Sequence, residues 1–493
     1  MDVMNPATGE KITKVNLSTA SEVDTAVNFA KKAFPSWSNS TIRVRTQFLY
    51  KFRELVYKNK QALVDAIVME NGKNEAEALG DVAKGLETVE WACSMPQLIS
   101  GDILKVSRGV TCHDVNEPLG VVACIVPFNF PFMVPMWTCP IALAAGNCVI
   151  LKPSERVPLT MQITAQLMKE AGIPNGVFQM VHGSVEAVQS ICDHKDIVAV
   201  SFVGSSKVAE IVSQRCHRLN KRVLALGGAK NHLVALPDCD VEMASRDIVA
   251  SAFGCLGQRC MAASVLILVG DCENLLKRVV ERAGTLDMLK MRSLSLSLPL
   301  FPSLYHTHVH THTHSHAAHN IIYSTSGALK AGQKKGQVGP VINAASQLRI
   351  LKYVNGAIQY GAKPILDGRN WCDDMKKGTW FGPTVLVFPK GKDDAMRPAV
   401  RDEIFGPVLS VLKVKTWQDA LDIENNSPFG NAASIYTSVG AHAEFFTPRF
   451  RAGMIGVNIG VPVRTSSCLC VHFTPPQTTS SHTYISLLNT GSS

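Results

Sequence analysis

At 493 residues, with 46% hydrophobic and 18% charged side chains and a net charge of +9, the chain exceeds what one hydrophobic core ordinarily supports, so at least two domains are expected. No apolar run approaches the roughly 20 residues needed to cross a bilayer, and the Lys and Arg residues are dispersed along the chain, which argues against a membrane or a nucleic acid as partner. Fourteen cysteines include no Cys-x-x-Cys pair, and Cys124, Cys139 and Cys148 sit inside apolar stretches, the usage expected in a reducing compartment.

The chain opens almost at once on Asn5-Pro6-Ala7-Thr8-Gly9-Glu10, which leaves no room for a signal or transit peptide, so targeting information is expected to be absent or cut off. From Ser18 to about Gly101 the pattern is helical. Ser21 can cap a segment with apolar positions at Ala26, Val27, Ala30 and Phe34, and Pro35 is expected to end it. Further helices are predicted from about Arg43 to Met69 and from Ala76 to Cys93.

At Gly120 the period changes. Val121 to Val126 is a continuous apolar run, as are Cys148 to Leu151, Val177 to Val181, Ile197 to Val203 and Arg222 to Leu226, with helix-patterned segments Thr160 to Ala171 and Lys207 to Arg218 between them. Runs of that length read as strands buried on both faces, and their alternation with helices predicts a doubly wound parallel sheet. Gly172 is a helix stop.

The same mixture continues to Leu412, interrupted from about residue 287 to 326 by Ser293-Leu294-Ser295-Leu296-Ser297-Leu298 and a His/Thr array from His306 to His316. Alternate His residues can bind metals. A CA dinucleotide repeat encodes His-Thr-His-Thr and a CT repeat Ser-Leu-Ser-Leu, however, so the tract reads as a translated microsatellite and a mobile surface insertion, with no metal site. From about Arg464 the chain is Ser/Thr-rich without either period and is expected not to pack.

Cys260 follows Gly254-Cys255-Leu256-Gly257-Gln258-Arg259. Glycines there allow close backbone approach, and the neighbouring Arg259 would favour a thiolate; among fourteen cysteines a thiol beside an Arg is more often structural than catalytic. Phe202-Val203-Gly204-Ser205-Ser206 and Lys152-Pro153-Ser154-Glu155 are strand-to-helix junctions suited to a dinucleotide. Lys152 and Glu155 could bridge ribose hydroxyls, or form an ordinary solvated turn. The chain has no Gly-x-Gly-x-x-Gly, so any cofactor site is not of the standard fingerprint type.

Asn5 to Gly9, Pro127-Phe128-Asn129-Phe130-Pro131, Lys152 to Glu155, Phe202 to Ser205, Gly257 to Cys260 and Glu403-Ile404-Phe405-Gly406-Pro407 together resemble the aldehyde dehydrogenase superfamily, in that family's order, over roughly residues 3 to 286 and 328 to 463. Gly228-Ala229-Lys230-Asn231-His232, Met95 to Gly101 and Arg259-Cys260-Met261-Ala262 look like its acylating members, the methylmalonate-semialdehyde dehydrogenases. The resemblance implies an α/β fold of several parts. These are an NAD-binding domain (1–97 and 119–226) with the doubly wound parallel sheet, an oligomerisation hairpin (98–118), an α/β catalytic domain (227–425, with the insertion at about 287–326), a return segment (426–463) and a divergent, disordered tail (464–493).

It also implies roles. Cys260 would be the nucleophile and Asn129 the oxyanion donor, with Arg259 on the substrate carboxylate. Val126 and Phe128 would lie along NAD, Lys152, Glu155 and Arg156 near its adenosine half, Ser205 at the pyrophosphate, Gly227 near the nicotinamide and Glu403 on the nicotinamide ribose. Hydrolytic relatives place a Glu in a Glu-Leu-Gly-Gly-Lys motif. Here the segment is Leu224-Ala225-Leu226-Gly227-Gly228-Ala229-Lys230, so Leu226 or Ala225 stands where the water-activating base would be. The implied reaction is NAD-dependent oxidation of malonate or methylmalonate semialdehyde with decarboxylation and transfer of the acyl group to coenzyme A, in a homo-oligomer of the mitochondrial matrix, with the cytoplasm as the alternative for a chain without a leader. Three departures stand out: Asn116 where relatives have an Arg, Ala209 where they have a Gly, and the replaced segment beyond Val463. An impaired or mistranslated product, and a hydrolytic enzyme, are the competing expectations.

Overall fold

The computed structural model describes residues 1–286, 338–371 and 377–461, with the backbone of one further strand at 483–486. The low-complexity insertion and most of the tail singled out above lie outside these residues.

A short antiparallel pair, β1 (Asp2–Met4) and β2 (Lys11–Lys14), precedes four helices, α1 (Ala20–Ser38), α2 (Ile42–Lys58), α3 (Lys60–Asn71) and α4 (Glu75–Cys93). Helix α1 is capped by Thr19 and not by Ser21, because Thr19 and Glu22 have the spacing of a reciprocal capping box. It also runs through Pro35 to Ser38; a proline in the last turn forfeits one N–H there, and the Pro35 carbonyl still accepts from Asn39. The segment expected as one helix from Arg43 to Met69 is divided at Asn59 into α2 and α3. A four-residue helix, α5 (Met95–Leu98), leads into the hairpin β3 (Asp102–Ser107) and β4 (Val110–Asp114), whose residues are all exposed, Ile103, Leu104, Val106 and Val110 among them.

The predicted doubly wound sheet is present. Its strands are β5 (Val121–Ile125), β6 (Cys148–Lys152), β7 (Phe178–Met180), β8 (Ile197–Val203) and β9 (Arg222–Leu226), in spatial order β7-β6-β5-β8-β9 and parallel throughout. Between them run α6 (Met133–Ala144), α7 (Pro158–Glu170), α8 (Val185–Asp193) and α9 (Ser206–Arg218). Gly172, at φ +91°, takes the left-handed position after α7. The order reverses between β5 and β8, and the crevice beyond the carboxyl ends of those two strands is where open α/β sheets bind ligands.

A second sheet follows: β10 (Asn231–Ala235), β11 (Ala263–Val269), β12 (Lys363–Leu366), β13 (Thr384–Phe388), β14 (Val408–Val414), β15 (Ala432–Tyr436), β16 (Met454–Val457) and β17 (Thr483–Ser486), ordered β12-β13-β14-β11-β10-β15-β16-β17, with only β12 antiparallel to its neighbour. Helices α10 (Val241–Phe253), α11 (Glu273–Gly284) and α12 (Ala344–Gln359) accompany it. Strand residues alternate between two cores: Val265, Ile267 and Val269 face one, Leu266 and Leu268 the other, as a strand covered on both faces requires.

Strand β17 corrects one expectation. The tail was expected not to pack, yet Thr483 to Ser486 pair parallel with Met454 to Val457. Thr-Tyr-Ile-Ser is locally rich in strand-forming side chains, a signal diluted by the Ser/Thr-rich residues around it.

Candidate active site

Helix α10 ends at Phe253, and the chain then turns through Cys255 (φ +48°), Leu256 (φ +53°) and Gly257 (φ +67°), three consecutive residues in the left-handed region. Such a run is strained for the two that carry side chains and persists only when its surroundings hold it. The Cys255 N–H donates to Glu77 of α4. Gly257 must be glycine twice over, since a Cβ there would lie 2.1 Å from the Gly406 carbonyl oxygen. Gln258 is buried and crosslinks the loop: its amide donates to the carbonyls of Cys255 (3.2 Å) and Pro340 (3.3 Å) and accepts from the Ile342 N–H (2.9 Å).

Cys260 follows in a turn before β11, partly accessible. Its carbonyl accepts from Asn231 Nδ2 (2.8 Å), at the start of β10, and from Asn431 Nδ2 (3.3 Å), just before β15. Two adjacent strands of the sheet thereby pin the Cys260 backbone. Burial, with the Glu403 carboxylate adding repulsion, pushes the thiol up to about 11. The thiolate expected from the neighbouring Arg259 is therefore not what the structure places here. The Arg259 guanidinium turns away to Glu77 (Nη2 to Oε1, 3.1 Å) and lies against Gly254, as sequence neighbours in an irregular loop need not point the same way.

Asn129 reaches the same loop from the other sheet: its buried Nδ2 donates to the Gln258 carbonyl at 3.0 Å. One amide N–H is so engaged, and the amide has a second. The Pro127–Pro131 segment that carries it is held from beneath by residues of α3, α4 and the junction between them. Asn71 Nδ2 donates to the Phe128 carbonyl (2.8 Å), and the Lys73 ammonium sits 3.7 Å from the Phe130 ring centre while paired at 2.8 Å with Asp81. The other oxygen of Asp81 accepts from the Met133 N–H at the start of α6 (2.7 Å). Phe128 packs edge-on against Phe405, 5.9 Å between ring centres, joining this segment to the one that bears Glu403. Lys73 and Asp81 are 3% and 1% exposed, so the pair is fully desolvated, and removing one partner would leave a buried charge.

The residues expected around a dinucleotide flank the switch between β5 and β8. Val126, buried, donates its N–H to the Lys152 carbonyl (3.1 Å). Lys152 is not in a solvated turn: it is 4% exposed, with its ammonium on the Gly183 carbonyl (2.8 Å) and 3.3 Å from Glu155. Arg156 is exposed beside them. Ser205 is exposed at the N-terminus of α9 with no side-chain cap bond, leaving its hydroxyl available where the helix N-terminus favours an anion. The neighbouring Ser206 hydroxyl accepts from the Gly228 N–H (3.0 Å).

A cleft of about 550 Å³ opens along this helix, lined in part by Ser206, Ala209, Ala225, Gly227, Gly228 and Phe429. A Cβ on Gly227 would sit 3.1 Å from Ser206, and one on Gly228 would sit 2.3 Å from Glu403 Oε2, so the two glycines form a cradle that a side chain would fill. Glu403 is held there by the Ala229 N–H (3.0 Å), and burial raises its carboxyl above the ordinary range. An exposed helix N-terminus, a bare glycine cradle and a fixed carboxylate suit a dinucleotide with its phosphates and hydroxyls. Beneath the cradle Lys230 is fully buried, donating to the Ala399 carbonyl (2.9 Å).

Of the departures noted in the sequence, Asn116 is exposed and donates to the Ser100 carbonyl (2.9 Å) and Ala209 is buried on α9 facing the cleft; Leu226, at the place of the missing base, is half-buried at the end of β9. Asn71, Lys73, Glu77, Asp81, Asn231 and Asn431 escaped sequence reasoning. The four on α3, α4 and their junction fall in a helical pattern whose charges look like a solvated face, and only tertiary burial distinguishes them. Among the described residues no three His, Cys, Asp or Glu side chains are grouped as metal ligands, and no helix is long and apolar enough to cross a membrane.

Residues 1–296 and 305–469 match the model of the aldehyde dehydrogenase family. Among curated proteins, malonate-semialdehyde dehydrogenase 1 of Geobacillus kaustophilus (strain HTA426) is 38% identical over 466 residues, covering 94% of this chain and 86% of its own. The acylating mitochondrial methylmalonate-semialdehyde dehydrogenase of Arabidopsis thaliana is 39% identical over 461 residues, covering 93% and 69%. Among solved structures, methylmalonate-semialdehyde dehydrogenase from Oceanimonas doudoroffii superposes with a TM-score of 0.83 at 34% identity, covering 94% of this chain and 87% of that one. A Sinorhizobium meliloti 1021 protein assigned the same activity and complexed with NAD gives 0.82 at 32% identity, with the same coverage.

Proposed function

The chain belongs to the aldehyde dehydrogenase family, and on that premise we propose that it oxidises malonate or methylmalonate semialdehyde with NAD, holds the acyl group on Cys260 and passes it, after loss of CO₂, to coenzyme A. The observation that carries the acylating part is that, among the described residues, no water-activating base stands at the end of β9. Leu226 and Ala225 occupy the end of β9 where hydrolytic relatives have a Glu, and Glu403, already engaged by the Ala229 N–H, is the one carboxylate whose charge raises the Cys260 thiol. Without a general base, attack by water on a thioester is slow, and a thiol is the better acceptor.

NAD, when bound, supplies the hydride acceptor and a positive nicotinamide ring that favours the thiolate. This chain's own residues do the rest. Cys260 Sγ adds to the aldehyde carbon, its backbone fixed by Asn231 and Asn431. The oxygen that becomes negative is met by the free N–H of the Asn129 amide and by the Cys260 N–H; removing one such donor typically costs about 2.7–4 kcal/mol of barrier. Arg259, its guanidinium set on Glu77 at the side of the nucleophile turn, is the planar cation for the substrate carboxylate. Ser205 and Ser206 at α9, Lys152 with Glu155, and Glu403 hold the dinucleotide, with Val126 and Phe128 along it, Arg156 at its adenosine end and Gly227 giving room for its nicotinamide half. The exposed apolar hairpin β3–β4 is the surface through which copies would associate.

The assay is NADH formation from malonate semialdehyde and methylmalonate semialdehyde, with and without coenzyme A. One equivalent per Cys260 is expected without coenzyme A and sustained turnover with it, both abolished by Cys260→Ser. Sustained turnover indifferent to coenzyme A would make the enzyme hydrolytic, and a complete lack of NADH would make the chain an impaired member of its family.

A further inference from the structure

The Glu77 carboxylate lies in the seam between α4 and the nucleophile turn. Asn74 caps α4 and accepts the Glu77 N–H at 2.8 Å, so the residue's backbone is fixed in the first turn of the helix. One of its oxygens receives both the Cys255 N–H and Arg259 Nη2. Its second oxygen and Arg259 Nε are buried without a hydrogen-bond partner. The guanidinium rests on Gly254, where a Cβ would come within 2.6 Å of both terminal nitrogens.

A carboxylate beside the group meant to receive a carboxylate works against affinity, because it neutralises the charge that attracts the ligand. Its use must be positional. Arg carries five N–H donors; Glu77 takes Nη2 through a single oxygen and the Cys255 thiol also holds the guanidinium, which fixes its plane while donors remain for a second anion. We propose that Glu77 is a positioning residue that orients Arg259 and so sets the preference for aldehydes bearing a β-carboxylate over uncharged ones. This rests on the assignment of Arg259 to that carboxylate.

Two readouts test it on the full chain. The first is the ratio of kcat/KM for malonate semialdehyde to that for propanal, with NAD and coenzyme A present. The second needs no turnover: the ratio of Cys260 alkylation rates by iodoacetate and iodoacetamide, in which the thiolate displaces iodide to form a thioether and the two reagents differ in a carboxylate. Glu77→Gln keeps an oxygen for the Cys255 N–H and removes the charge. Loss of one well-placed charge-assisted contact corresponds to about tenfold or more, so both ratios are expected to fall by that factor, mainly through KM for the semialdehyde, with partial recovery in Glu77→Asp. Gly254→Ala displaces the guanidinium without touching Glu77 and should lower both ratios as well, which keeps the test open if Glu77 variants fold poorly. Equal losses for charged and uncharged reagents, or no change in either ratio, would overturn the proposal. Arg259→Ala separates the two levels: if it retains the preference, the assignment of Arg259 fails, whereas if it loses the preference and Glu77→Gln keeps it, only the role of Glu77 fails.

Discussion

Replacing Gly257 by Ala tests whether close packing of two loops places the nucleophile. The added Cβ would sit 2.1 Å from the Gly406 carbonyl oxygen, against a limit of 3.0 Å that real Cβ atoms essentially never breach. The loops must therefore separate by about 1 Å, a misplacement that can cost on the order of 100-fold in rate, or about 2.7 kcal/mol of barrier. The left-handed backbone at φ +67° adds roughly 1–2 kcal/mol of strain for an L side chain. Because Gly406 lies three residues from Glu403, whichever loop yields, either Cys260 or Glu403 leaves its place. The assay is kcat for NADH formation from malonate semialdehyde at saturating coenzyme A, with thermal melting to establish that the variant is folded. Gly80→Ala is the control, since a Cβ on that exposed α4 residue meets nothing within 4 Å and should be neutral or slightly stabilising. A Gly257→Ala enzyme that is folded and turns over within about twofold of the parent would refute the argument.

Without dinucleotide, a thiol raised to about 11 should react with iodoacetamide about tenfold faster for each pH unit from 7 to 10, and a rate that levels off below pH 9 would contradict the burial argument. Asn231→Ala removes the donor to the Cys260 and Ala262 carbonyls (2.8 Å each). It should destabilise the fold by about 1–3 kcal/mol and lower kcat more than it raises KM; a change confined to stability would show that the contact does not position the nucleophile. Burial brings Lys230 down to about 7, below its unfolded value, so the unfolded chain holds a proton that the folded one releases between about pH 7 and 10. Stability relative to Lys230→Met must then rise with pH, by at most about 1.4 kcal/mol per unit, and melting differences between the two proteins that stay flat from pH 7 to 9.5 would show that Lys230 remains charged when folded.

Where the sequence was legible, a single physical constraint dominated. Strands β5 and β6, buried at every position, had to be apolar throughout because helices cover both faces, and that pattern needs no neighbour to be read. Elements set by spacing between polar side chains were read less well: the Thr19–Glu22 box was passed over for Ser21, and the break at Asn59 leaves no gap in the apolar period of α2 and α3. The site was legible as motifs but not as geometry. Adjacency suggested that Arg259 would charge Cys260, whereas the irregular turn sends the guanidinium to Glu77, some 180 positions away in sequence, and the thiol rises instead of falling. Asn5 to Gly9, useful for identifying the family, proves structural: the Pro6 and Ala7 carbonyls accept from the Thr379 N–H (2.8 Å) and Trp380 Nε1 (3.1 Å), tying the N-terminus to the approach of β13.

The segment from Glu70 to Asp81 holds both of the proposed catalytic elements at once. Asn71, Lys73 and Asp81 fix the loop that offers Asn129, and Glu77, between them on the same helical junction, fixes the turn that offers Cys260. Glu70, fully buried, ties the junction itself to α7 through the Leu159 and Thr160 N–H groups (2.7 and 3.0 Å). Asn129, proposed as the oxyanion donor, follows a strand of the first sheet and Cys260, proposed as the nucleophile, precedes a strand of the second, so their separation would otherwise depend on how two separately packed cores meet. A polar strut contacting both loops makes that separation a property of one short stretch, the end of α3, the junction and the start of α4, instead. Burying so many charged groups is expensive unless each is paired, and their concentration on this junction fits a site whose geometry must be kept to a fraction of an ångström.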